Sequence, residues 1–108
     1  MIVREAAGGG VSGMFCVTVE FTIDPGRRDA FLARMKRQAD ASLSLEPGCR
    51  VFEVWVEDAR PDEVRLHEVY DDAAAFEAHL ASVHFNSFAA DIGPMVRERR
   101  LLTWSRRL

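Results

Sequence analysis

No run of 18 or more apolar residues occurs in this 108-residue sequence, and a helix crossing a bilayer needs a stretch of about that length. The first residues also lack the charged and apolar regions of a secretory signal. Cysteine is scarce: Cys16 and Cys49 stand far apart and form neither a CxxC pair nor a secreted framework. Two inert thiols in a reducing cytosol are the expectation, rather than a disulfide. Basic charge is not in excess, with 14 Lys and Arg against 17 Asp and Glu and a net charge of -3. A chain without a basic field has little to draw it to nucleic acid. Also missing are a glycine-rich dinucleotide fingerprint, a P-loop, HExxH and any zinc-type spacing. His79 and His84 are not the i, i+4 pair that shares one helix face, so no metal site is expected. These absences leave a cytoplasmic protein that binds neither membrane nor nucleic acid.

What is present is an ordinary globular composition, 48% hydrophobic and 29% charged. The length suits one domain, although so short a chain buries a modest share of its surface and gains from a partner subunit. Residues 1–13, with Gly8-Gly9-Gly10 and Gly13, read as a flexible leader ahead of a domain over residues 14–108. From Phe15 to Ile23 apolar and polar residues alternate, which predicts a strand with one apolar face. Asp24-Pro25 suits an N-cap followed by a first-turn proline. Phe31, Met35, Gln38/Ala39 and Ser42/Leu43 then recur at helical spacing until Glu46-Pro47-Gly48 stops the helix. Arg50 to Glu57 and Val64 to Tyr70 read as antiparallel strands joined through the polar run Asp58 to Asp62. Asp71 and Asp72 suit the start of a helix. Phe76, His79, Leu80 and Val83 form its apolar stripe. Phe85, Phe88 and Ile92 predict one more short helix before Gly93-Pro94, and Met95 to Arg107 predicts a last strand.

The order β-α-β-β-α-(α)-β is that of an α+β, ferredoxin-like antiparallel sheet with helices on one face. The other face also carries apolar residues, Trp55 most plainly, and no helix remains to cover it. Two copies packed sheet to sheet would do so, which predicts a homodimer. The chemistry gathers between Leu66 and Phe85, where all three histidines and the only tyrosine lie. Glu68 and Tyr70 share a strand face with Val64 and Leu66, so both should lie under the helix that carries His79. His67 has the opposite parity and should face the seam between copies.

The opening strand, Asp24-Pro25-Gly26, Glu46-Pro47-Gly48-Cys49 and Phe52-Glu53-Val54 resemble the antibiotic biosynthesis monooxygenase family. The resemblance is strongest at Glu68-Val69-Tyr70-Asp71-Asp72 with Ala75, His79 and His84-Phe85. The spacing from Glu-x-Tyr to the two histidines is similar to the subgroup of quinol monooxygenases and an autoinducer-processing isomerase. It implies a dimeric α+β barrel, and a monooxygenase that uses no prosthetic group, metal or other cofactor. A small aromatic quinol or polyphenol would lose a proton and pass an electron directly to O2. In haem-degrading relatives a tryptophan follows the third strand and a histidine lies late in the next helical stretch. Tyr70 and Ala89-Ala90 stand in those places here, which disfavours haem breakdown.

The catalytic assignments are His79 as base, Tyr70 as donor to a substrate oxygen, and Glu68 as the group that orients the imidazole or polarises Tyr70. His84, Phe85, Phe76 and Phe21 are assigned to substrate binding. Each residue also has a purely structural reading: His79 as an interior histidine, Glu68 as an acceptor for a nearby backbone or for His79, Tyr70 as a rim aromatic, His84 as a helix cap or surface residue. The same cluster could serve an isomerase moving a proton beside a carbonyl, or a non-catalytic binding module.

Overall fold

The computed structural model describes residues 14–108, and the leader read over residues 1–13 lies outside them. The chain runs β1 (Phe15–Ile23), α1 (Arg28–Leu45), β2 (Cys49–Glu57), β3 (Arg60–Tyr70), α2 (Ala73–Ala81), α3 (Val83–Ile92) and β4 (Val96–Trp104). Short 3-10 turns at Pro25–Arg27 and Gly93–Met95 join β1 to α1 and α3 to β4. The four strands form one antiparallel sheet in the order β2-β3-β1-β4. This is the α+β, ferredoxin-like arrangement that the element order predicts.

Alternation along the strands divides the sheet into two faces. Val17, Val19, Phe21 and Ile23 of β1 and Val64 and Leu66 of β3 are buried under the helices, with Phe31, Met35, Phe88 and Ile92 packed on them. The expected core face of α1 is observed as Phe31, Met35, Gln38, Ala39 and Ser42, two of the five being polar. On the opposite face Met14, Val51 and Val69 cluster with Cys16. Trp55, Leu102 and Trp104 remain exposed there. Both cysteines are free, as expected. Among the described residues no helix is long and apolar enough to cross a membrane.

Several boundaries differ from the sequence reading for identifiable reasons. Asp24 makes no capping bond to α1, because the 3-10 turn intervenes and the helix starts only at Arg28. β3 begins at Arg60 rather than Val64, leaving Asp58-Ala59 as the turn. Its first residues are polar because this end of the hairpin is solvated, so alternation gave no sign of a strand. β4 is shorter than expected at both ends. Asp72 does cap α2, accepting from the Ala75 N–H at 2.8 Å, whereas Asp71 pairs with Arg50. The stripe over Phe76, His79, Leu80 and Val83 breaks at Ser82. Its Oγ donates to the His79 carbonyl at 2.7 Å and accepts from the Phe85 N–H at 3.2 Å, ending α2 and capping α3 together. Val83 therefore projects into solvent.

Gly48, just before β2, makes the closest approach among the described glycines. A Cβ there would lie 2.7 Å from the Ala75 Cβ, a rigid group on the first turn of α2. Overpacking of this kind costs about 1–3 kcal/mol. Gly48→Ala is expected to destabilise the domain by that amount in urea unfolding, and Ala75→Gly added to it should restore most of the loss. A Gly48→Ala midpoint equal to that of the parent would show that the two segments are free to part.

Candidate active site

The site is built from the inner faces of β2 and β3, the end of α1, and the α2–α3 corner. Cross-strand pairing places Glu68 of β3 between Val17 and Phe52, on the helix side of the sheet. His79, in the last turn of α2, hangs over it inside a cage of rings. Phe85 lies 4.8 Å away between centroids, Tyr70 5.4 Å, Phe76 6.0 Å and Phe52 6.2 Å. A cavity of about 540 Å³ opens beside this cage, lined by His79, Glu68, Gln38, Phe21, Phe52, Phe76, Phe85 and Phe88 among others, with Arg99 on its rim. A volume of this order suits a small ligand. A larger hollow, about 710 Å³, lies at the far end of the sheet; charged side chains dominate its walls and no imidazole reaches it.

His79 does not pair with Glu68. Its Nδ1 lies 2.9 Å and 3.1 Å from the two oxygens of Glu46, the residue that closes α1. With Nδ1–H donating to this carboxylate, Nε2 keeps its lone pair and has no partner among the described residues. Burial in the aromatic cage pushes the imidazole's pKa down, and the Glu46 bond and charge partly oppose that. The pair is a carboxylate-oriented base at the wall of an apolar cavity.

Glu46 serves a second imidazole. Its Oε2 lies 2.8 Å from His84 Nε2, although that N–H is not aligned with the contact and makes no hydrogen bond. His84 Nδ1 meets Gln38 Nε2 at 3.1 Å. His84 thus stands behind the cavity wall that Gln38 helps to form, facing a shallow surface groove, and does not line the cavity itself. Among the described residues no group of three or more His, Cys, Asp or Glu side chains is arranged to hold a metal ion.

Glu68 and Tyr70 are brought together, but with each other. The Tyr70 hydroxyl donates to Glu68 Oε1 at 2.6 Å, and the ring is fully buried. Tyr70 is therefore neither a rim aromatic nor a free donor to the cavity, which its side chain does not line. Its pKa is pushed well above the usual phenol range by burial first, then by the Glu68 charge and hydrogen bond. Glu68, 3% exposed, lines the cavity. Burial raises its pKa to about 7; the Tyr70 hydrogen bond pulls it down, and Glu46 adds a further push upward. Two proton-exchanging groups, His79 and Glu68, thus share one wall.

The residues brought to the cavity are His79, Glu68, Phe85, Phe76 and Phe21; those left outside are Tyr70 and His84. Glu46 and Gln38 were absent from the sequence-based site. Glu46 read only as part of a helix stop, and Gln38 as a position on the apolar face of α1. A polar side chain at a core-facing position was the available signal.

A small antiparallel sheet roofed by helices, with a carboxylate–imidazole pair at an apolar cavity between the layers, defines an α+β domain with a candidate small-molecule site. The chain belongs to the antibiotic biosynthesis monooxygenase family, whose family model matches residues 14–91. A structure from Bacteriodes thetaiotaomicron, named as a "putative antibiotic biosynthesis monooxygenase", is 29% identical with a TM-score of 0.85, covering 92% of this chain and 94% of that one. One from Caulobacter crescentus with the same name is 19% identical, with a TM-score of 0.84 over 91% of this chain and 93% of that one. Rv0793 from Mycobacterium tuberculosis is 22% identical, with a TM-score of 0.80 over 88% and 96%. The latter two are likenesses of fold. No curated protein matches the chain.

Because Glu68 is harder to ionise folded than unfolded, it makes stability fall as pH rises. Below its ordinary pKa of 4.5 both states are protonated; between 4.5 and about 7 only the unfolded chain releases the proton. The loss approaches about 3 kcal/mol by pH 8. His79 works the other way, since its lowered pKa makes the folded state lose stability as pH drops below the usual imidazole value of 6.5. The difference in unfolding free energy between the parent and Glu68→Gln isolates the carboxylate. It should change by about 3 kcal/mol against the parent between pH 4.5 and pH 8, and a constant difference across urea titrations would refute the buried acid.

Proposed function

We propose that this protein is a cofactor-independent monooxygenase that oxidises a small aromatic quinol or polyphenol with O2. The observation that carries the reading is His79, its Nδ1 held by Glu46 and its Nε2 without a partner among the described residues, at an apolar cavity. Nε2 removes a phenolic proton, and Glu46 stabilises the imidazolium that results. The walls of Phe52, Phe76, Phe85 and Phe88 exclude water from the anion. The phenolate passes one electron to O2, and the radical pair joins at a ring carbon as a hydroperoxide. Loss of water leaves one oxygen atom as a ring carbonyl and the other in water. The substrate supplies all four electrons, so no external reductant enters the balance.

A second reading has its own support. Glu68, with a pKa raised to about 7, lines the same cavity as His79. One group could take a proton from a carbon beside a carbonyl and the other return it, which is isomerase chemistry without O2. Activity that persists under argon selects this second reading.

The assembly we propose is a homodimer through the open sheet face, where Trp55, Leu102 and Trp104 are exposed beside the Met14, Val51 and Val69 cluster. Sedimentation at twice the chain mass is the expected result, and a monomer at micromolar concentration would count against it.

Oxygen uptake with a panel of hydroquinones tests the main proposal. His79→Ala should lower kcat/KM by about 10²–10⁴-fold. Glu46→Gln should retain part of the rate but shift the acid limb of the pH profile to lower pH, because the Glu46 bond and charge raise the His79 pKa. An unchanged rate in His79→Ala would remove this residue from the mechanism.

A further inference from the structure

Gln38 sits on the core face of α1, 1% exposed, and lines the cavity that His79 and Glu68 also line. Its carboxamide nitrogen is engaged, with Ser42 Oγ at 3.4 Å and His84 Nδ1 at 3.1 Å. Its Oε1 is buried and has no hydrogen-bond partner among the described residues. An orphan buried acceptor is uncommon in a native fold and calls for an explanation.

The orientation of this amide follows from its neighbours. His84 Nε2 faces Glu46 Oε2 at 2.8 Å. A ring nitrogen that close to a carboxylate oxygen carries the proton, since two lone pairs would repel. In the neutral ring Nδ1 is then an acceptor, and only the NH2 end of Gln38 can meet it. Glu46 thereby turns the carbonyl end away from His84 and leaves it unsatisfied. Gln38 and His79 line the same cavity; His84 touches the NH2 end of Gln38, and the His79 and His84 rings are 6.1 Å apart between centroids. Phe85, 4.8 Å from His79 and 6.1 Å from Phe88, supplies a flat apolar wall alongside.

We propose that Gln38 Oε1 accepts a hydrogen bond from a second hydroxyl on the substrate, making Gln38 the residue that selects dihydroxy aromatics over their monohydroxy ethers. One hydroxyl gives its proton to His79 Nε2, and the other donates to Gln38. The proposal rests on reading the cavity as a site for quinols, but it concerns binding and not the oxidation step.

Anaerobic calorimetric titration of the full chain with 1,4-dihydroxynaphthalene and with 4-methoxy-1-naphthol tests it. The parent should bind the diol about tenfold more tightly, as one buried hydrogen bond warrants. Gln38→Leu should bring the ratio to about one while keeping its affinity for the ether. If Gln38→Leu does not melt cooperatively, Gln38→Met, which keeps the length and lacks the acceptor, takes its place. A diol preference equal in parent and variant overturns the proposal, as does the absence of saturable binding of the diol to the parent. Excluding O2 separates the two readings: a preference that vanishes in the variant upholds Gln38 even where oxygen uptake fails, and an unchanged preference removes Gln38 without touching the oxidation.

Discussion

The hydrogen bond between Glu46 and His79 is the constraint around which the inner layer is arranged. An imidazole enclosed by four rings keeps a polar N–H in an apolar setting only if that N–H has a partner. The partner comes from elsewhere in the chain, the C-cap residue just past α1, and the chain must turn at once to bring it there. Pro47 and Gly48 make the turn, and Gly48 then passes so near Ala75 that any side chain would collide. The end of α1, the start of β2 and the first turn of α2 are thus held together by one requirement. The Asp71 N–H to Gly48 carbonyl bond at 2.9 Å fastens the same junction from the strand side.

A half-buried and a buried carboxyl group stand in the same neighbourhood and do different work because their partners differ. Glu46 faces nitrogen donors, Glu68 a phenol. Burial dominates at Glu68, and the Tyr70 hydroxyl only tempers it. Tyr70 in turn remains a donor at any ordinary pH, because burial and the neighbouring acid both oppose its ionisation. The consequence is a strut: Tyr70 fixes the carboxyl that faces the cavity, and its ring packs tilted against His79. The phenol contributes to the site through Glu68 alone.

The fold was legible because period-two and helical patterns in this chain are clean where burial is one-sided. β1 alternates without a break, and Phe31, Met35 and Ala39 mark the inner face of α1. Legibility failed at the solvated start of β3, where no apolar residue betrays the pleat, and at Ser82, whose double hydrogen bond splits what looks like one continuous stripe. Within the site, strand parity brought Glu68, Tyr70 and His79 under one roof but could not say which would bond to which. Parity sorts side chains by face; it carries no information about a residue 33 positions away in sequence, and that is the separation between Glu46 and His79. A signal was nonetheless present. A glutamate at a helix C-terminus opposes the helix dipole, and Gln38 and Ser42 are polar at positions that should be apolar. Each breaks a local rule.

Those violations coincide in space, which is the more informative fact. A domain of this size has little stability to spare, yet Gln38, Ser42, His79, His84 and Glu46 form a connected polar patch on the inner side of its helices. Apolar residues of similar shape would pack there with no desolvation cost. A patch satisfied throughout could be explained as structural specificity. This one leaves Gln38 Oε1 and His84 Nε2 without hydrogen-bond partners in the interior, among the described residues, and His79 Nε2 unpaired at the cavity wall. Local rules, where broken at a functional site, are broken toward the ligand. On the proposed quinol reading, the base on His79 and the acceptor on Gln38 describe in negative the polar edge of the ligand.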